Sequence, residues 1–340
     1  MTAIALTGGI GEALSHFAAV GAAAIARQAG YAAYFHWSDE SVPVVMLDID
    51  LDIEGLATVV REHAREHSPE DSWAARTASG GPRDGSGLFS VRAKGVGTDE
   101  WTAYGEQRRR SRRALVGVGL DERLVTALGE PAWWLIDAQG RSLDDGGSRW
   151  EMKTRNRGEE FFVHRFVPLG RAVAQREVGD VAAGMTGRTV IDELGSGATS
   201  RTATGLRTPG PTDSAVAWCA LWGLHVMPTI ARRTTVSQSA CVWPRQGVHP
   251  RMAVLPVFTE PVSPRRYGEI CASVSLDRAG VRAGGQSDPI TELRADVARK
   301  WLAEQGVPAL VRFEGKKGGG SSAPGRQSLA GELEVLNGRD

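Results

Sequence analysis

The chain has 340 residues, 41% of them hydrophobic, with 40 Lys or Arg balancing 40 Asp or Glu, so it has ample material for a packed core and none of the net charge of a strongly basic binder. Its three cysteines, Cys219, Cys241 and Cys271, are widely spaced and odd in number, which excludes a disulfide framework or a zinc ribbon and suits a reducing cytoplasm. The zero charge hides an asymmetry: residues 1–100 carry 14 acidic and 7 basic side chains, so the rest of the chain has a surplus of seven cations.

The length suggests roughly two domains, read here as lobes over 1–180 and 181–340. Gly11 to Gln28 reads as a helix with a stripe of small and apolar residues, stopped by Gly30. It lacks a basic leader and is interrupted by Glu12, His16 and Arg27, so neither a signal peptide nor a membrane span is expected. Tyr31–Trp37 and Val42–Ile49 read as strands joined by a Ser38–Ser41 loop, and Glu54–His67 as a helix with Leu56, Val59 and Val60 inward. A long loop follows from Ser68 to Gly87, then a short strand from Leu88 to Ala93. Thr98–Leu115 predicts a helix bearing Arg108, Arg109, Arg110, Arg112 and Arg113, which at 100° per residue must spread around its circumference.

Asp121–Gly129 reads as a short helix, Ala132–Asp137 as a buried strand, and Arg149–Arg157 as a second basic run. Phe161–Val173, broken by Pro168, reads as strand then helix. Next comes a loop from Gly195 to Pro211, dense in Arg201, Thr202, Thr204, Gly205, Arg207 and Thr208. Thr212 or Asp213 caps the following helix, whose Val216, Trp218, Cys219, Leu221 and Trp222 predict burial on most faces, with Pro228 closing it. Two readings of the loop stand: a phosphate cradle of guanidinium groups against a helix start, or a plain turn whose arginines pair with carboxylates. Val236–Val242 and Arg251–Phe258 read as strands of a smaller sheet, Ile290–Gln305 as a capped helix, and Ala309–Glu314 as a strand. Gly315–Ser322, with Lys316 and Lys317, reads as a flexible basic loop. The fold class expected is α+β: two interleaved lobes with small antiparallel or mixed sheets packed by helices.

Signatures of catalysis are weak. No stretch matches a phosphate-binding P-loop or a Gly-x-Ser-x-Gly elbow, and Gly8-Gly9-Ile10-Gly11 lacks the context of a dinucleotide turn. His63 and His67, four apart on a helix, offer a metal site with one of Asp48, Asp50 or Asp52, and hence a metal-dependent hydrolase. Their charged neighbours Arg61, Glu62, Arg65 and Glu66 read instead as a solvated face. No cofactor is expected. Arginines near aromatics recur at 101–113, 149–157, 201–207, 232–245 and 316–317, a distribution that suits RNA or distorted DNA better than a small-molecule pocket.

The strings Gly187-Arg188-Thr189-Val190-Ile191-Asp192-Glu193-Leu194, Ser200-Arg201-Thr202-Ala203-Thr204-Gly205, Pro209-Gly210-Pro211-Thr212-Asp213 and Ala217-Trp218-Cys219-Ala220-Leu221-Trp222-Gly223 resemble a family of CRISPR-associated subunits of the type I-G system, formerly type I-U. The opening Gly11-Glu12-Ala13-Leu14-Ser15-His16 is similar to that family's start. The resemblance implies a non-catalytic subunit of a Cascade-like complex in the large-subunit role. It would bind guide RNA and/or target DNA beside other effector subunits and support recruitment of a separate helicase-nuclease. Arg201, Thr202, Thr204 and Arg207 would then hold phosphates, with Arg108, Arg109, Arg112, Arg113, Lys316 and Lys317 as auxiliary contacts.

Overall fold

The computed structural model describes residues 1–77, 87–89, 98–128, 162–195, 210–227, 241–243, 252–280, 288–318, 325–328 and 330–336. The expected strands at 90–93, 132–137 and 236–240, the basic run at 149–157, Pro228, and Arg201, Thr202, Thr204 and Arg207 lie outside them.

The first element is a strand outside those expected from the sequence. β1 (Thr2–Gly9) precedes α1 (Ala13–Gln28), and β2 (Ala33–Trp37) and β3 (Val44–Ile49) form the anticipated hairpin. All pairings are antiparallel and the sheet order is β1-β3-β2, with Ile4 opposite Leu47 and Phe35 also opposite Leu47 on the other side. Alternation along these strands places Ile4, Leu6, Phe35, Trp37, Val45, Leu47 and Ile49 in the core. Asp52 caps α2 (Ile53–His67) by accepting from the Gly55 amide at 2.8 Å. α3 (Thr98–Arg113) and α4 (Gly119–Leu128) follow.

Phe162–Phe166 is a wide helical turn running straight into α5 (Val167–Gln175), so the expected strand is helical here. Pro168 sits in the first turn of α5, where its fixed φ suits the helix. α6 (Val178–Met185) leads to α7 (Ser214–Gly223), which is buried at all ten positions, as its apolar circumference predicted. Asp213 caps it, accepting from the Ala215 amide at 2.9 Å.

The second sheet is built from β4 (Val242–Trp243), β5 (Met252–Val257), β6 (Ala309–Gly318), β7 (Gly325–Ser328) and β8 (Glu332–Val335), again all antiparallel. α8 (Pro264–Cys271), α9 (Val274–Ala279) and α10 (Pro289–Glu304) lie between β5 and β6. β6 continues beyond Glu314, and Lys316 and Lys317 pair with Gln327 and Arg326. The basic segment expected as a loop is therefore strand as far as Gly318, because a partner strand arrives a few residues later and takes its amides. Arg312 of β6 is buried and donates to the Gly280 and Ala279 carbonyls at the end of α9 and to Glu334 of β8.

The fold is α+β, with two small antiparallel sheets packed by helices. Residues from both halves of the chain enter one hydrophobic core. The free edge of β2 is closed by the segment after β5: Phe35 and Val262 exchange amide hydrogen bonds of 3.0 and 2.9 Å, and the Trp37 amide reaches the Phe258 carbonyl at 2.8 Å.

Candidate functional site

α3 sorts its arginines by face. Tyr104 and Arg108, one turn apart, point inward, and Arg108 is only 1% exposed. Its guanidinium donates to the Leu88 carbonyl at 2.9 Å and the Tyr104 hydroxyl at 3.3 Å, and lies over the Phe89 and Tyr104 rings. Arg108 therefore fastens the 87–89 segment to α3 and is corrected from a surface contact to a core residue. Arg109, Arg110 and Arg113 are exposed and Arg112 is half-buried. Arg110 lines a cleft of about 680 Å³ with Arg76, Thr77, Gln107, Ser111 and Glu70. Nothing in the residues around Arg76 marks it out in the sequence. Its place is set by the Leu88 amide, which donates to the Arg76 carbonyl at 2.7 Å, and by the bridge between Thr77 and Gly87.

The described residues on either side of 196–209 are bonded to one another. Arg176, 7% exposed, forks onto Asp213 with two bonds of 3.0 Å and onto Glu193 with bonds of 2.6 and 2.8 Å, and donates to the Ile191 carbonyl. The Thr212 amide donates to Asp192, and the Ser214 amide to the Ile191 carbonyl, each at 3.0 Å. Burial alone pushes the Glu193 carboxyl up, but hydrogen bonds from Arg176 and Ser214 together with the Arg176 charge hold it below its ordinary value. The segment Ile191-Asp192-Glu193 thus serves as an anchor for the start of α7.

A second constellation is buried beneath α7. His63 and His67 are 5% and 3% exposed, which corrects the reading of their helix face as solvated: α5, α6 and α7 cover α2. None of the aspartates at 48, 50 and 52 joins them. Asp48 faces His36 across the β2–β3 pair at 3.1 Å, Asp50 is exposed, and Asp52 is the α2 cap. The carboxylate that does approach is Asp121 of α4, at 3.2 and 3.3 Å from His67 Nε2. Trp73 Nε1 donates to Asp121 Oδ2 at 2.9 Å, and Trp218 Nε1 donates to His63 Nδ1 at 3.2 Å. Trp222 stands against both imidazoles, with ring centroids 4.4 and 4.6 Å away. Burial, helped by the neighbouring His67, lowers the His63 pKa well below 6.5. Asp121 is 54 residues from His67, so no local spacing points to it.

We find no protein-family model, curated protein or solved structure that matches this chain. Among the described residues, no helix is long and apolar enough to cross a membrane.

Proposed function

We propose that the chain is a non-catalytic, cytoplasmic subunit of a type I CRISPR interference complex that binds guide RNA and/or target DNA through backbone phosphates. The family resemblance supplies the system. The observation that supports nucleic-acid contact is the cleft where Arg76 and Arg110 converge beside the exposed Arg109 and Arg113 of α3. Guanidinium groups, a threonine and a serine hydroxyl and the Gln107 amide there supply donors for phosphate oxygens, the contact a protein needs when its specificity comes from guide pairing. His63 and His67 do not favour the hydrolase alternative, since they are walled in by Trp73, Trp218 and Trp222.

The test is binding of guide RNA, single-stranded DNA and duplex DNA across a salt series, by the chain alone and with its partner subunits. Arg76→Ala with Arg110→Ala is expected to weaken binding and to reduce the slope of log K against log salt by about 1 for each phosphate no longer neutralised. Affinity and slope unchanged by the pair would sink the phosphate-binding reading.

One observation favours a purely architectural role. Ile290, Leu293 and Val297, spaced along a single face of α10, are 60%, 63% and 62% exposed, the kind of stripe that another helix covers. Under that reading the arginine variant binds normally, and Leu293→Glu with Val297→Glu abolishes co-purification with the neighbouring subunits.

A further inference from the structure

We propose that His63, His67 and Asp121 form a structural site for a divalent transition-metal cation of the zinc class. The donor set is two imidazoles four residues apart on α2 and one carboxylate from the first turn of α4, with ligand atoms all within 4.8 Å of one another. The 3.2 Å separation of His67 Nε2 from Asp121 Oδ1 matches the roughly 3.3 Å edge of a tetrahedron built on zinc bonds of about 2.0 Å.

The hydrogen bonding of His67 and Asp121 supports this assignment. His67 Nδ1 lies 2.7 Å from the His63 carbonyl, which can only accept, so Nδ1 carries the hydrogen and Nε2 turns to the carboxylate. This is the usual outer support of a metal-bound imidazole, and the Trp73 indole supplies the same support to Asp121. Between Nε2 and the carboxylate a positive species is required, either a proton or a metal cation. A proton on that pair leaves His63 Nε2, buried and without a hydrogen-bond partner, unanswered. One cation engages all three groups.

Trp218 sets the cost of loading. Its N–H donates to His63 Nδ1, so in the metal-free form the His63 hydrogen sits on Nε2. Loading releases the proton held by His67 and Asp121 and transfers the His63 hydrogen from Nε2 to Nδ1. The Trp218 indole must then turn away. At 5%, 3% and 5% exposure the three ligands leave no approach for a substrate, so the cation ties α2 to α4 and does no hydrolysis.

The experiment is metal analysis of the full chain, purified without chelator and also refolded with Zn²⁺ or Co²⁺. Stoichiometric metal, visible Co²⁺ ligand-field bands, and a lower melting temperature after chelation are expected. His67→Ala and Asp121→Ala should lose the metal, while His36→Gln, at a separate His–Asp pair, should keep it. Trp218→Phe, which removes the competing donor, should bind Co²⁺ more tightly. Absence of metal from both the purified and the refolded wild-type chain would overturn the proposal even if the alanine variants do not fold, as would full metal content in folded His67→Ala.

Discussion

Gly21 on α1 rests on the carbonyl of Cys219 on α7, so the two helices meet backbone to backbone with no side chain between them. The contact is reciprocal, with Gly223 of α7 against the Phe17 carbonyl of α1. A methyl group at either position overlaps main-chain atoms that cannot rotate away. Gly21→Ala and Gly223→Ala are each expected to lose about 1–3 kcal/mol in denaturant unfolding. Gly9→Ala, where an added Cβ meets nothing within 4 Å, should stay within about 0.5 kcal/mol of wild type.

Arg176 is the second fixed point. Removing it leaves Asp213 buried and without its charge partner, so Arg176→Ala should cost about 3–5 kcal/mol in equilibrium unfolding. Arg176→Lys should recover only part of this, because an ammonium cannot fork onto Asp213 and Glu193 together. The native Glu193 carboxyl titrates below its ordinary 4.5. Its contribution is therefore present above that value and lost as pH falls through the lower native value. Glu193→Gln should flatten this part of the acid limb.

Buried histidines set a separate pH dependence. Burial, only partly offset by hydrogen bonds to the Ile10 and Trp222 carbonyls, lowers His16 and His225 from 6.5 to about 4. The unfolded chain binds protons at these sites below about 6.5 and the folded chain does not, so stability declines as pH falls from 6.5 towards 4. The slope is at most about 1.4 kcal/mol per pH unit for each histidine. Denaturation midpoints at pH 7, 6 and 5 test this, and His225→Phe should reduce the decline.

Within α3 the arginines should separate by experiment. Arg108→Ala removes a buried donor to the Leu88 carbonyl and a cation over two rings, with a loss of about 2–4 kcal/mol expected in thermal or denaturant unfolding. Arg109→Ala and Arg113→Ala, both at exposed positions, should fall within about 0.5 kcal/mol of wild type. If α3 touches nucleic acid, the latter two should weaken binding in proportion to salt sensitivity, and Arg108→Ala should not once its stability loss is allowed for.

Local chemistry determined much of the framework. The period of apolar residues, with the cap expected at Asp213 for α7, locates α2, α7 and α10 to within a few residues, because capping and helical burial depend on neighbours only three or four positions away. The all-round apolar surface of α7 likewise announced its burial. Tertiary pairing decided the rest. β1 and the extension of β6 through Lys316 and Lys317 exist because β3 and β7 accept their hydrogen bonds, and strand partners are supplied from elsewhere in the chain. Charged residues at 61, 62, 65 and 66 made the His63/His67 face of α2 look wet, yet α7 packs Trp218 and Trp222 onto it and α4 brings Asp121. Which face of an amphipathic helix is covered, and by what, is set by long-range packing that the helix's own sequence does not contain.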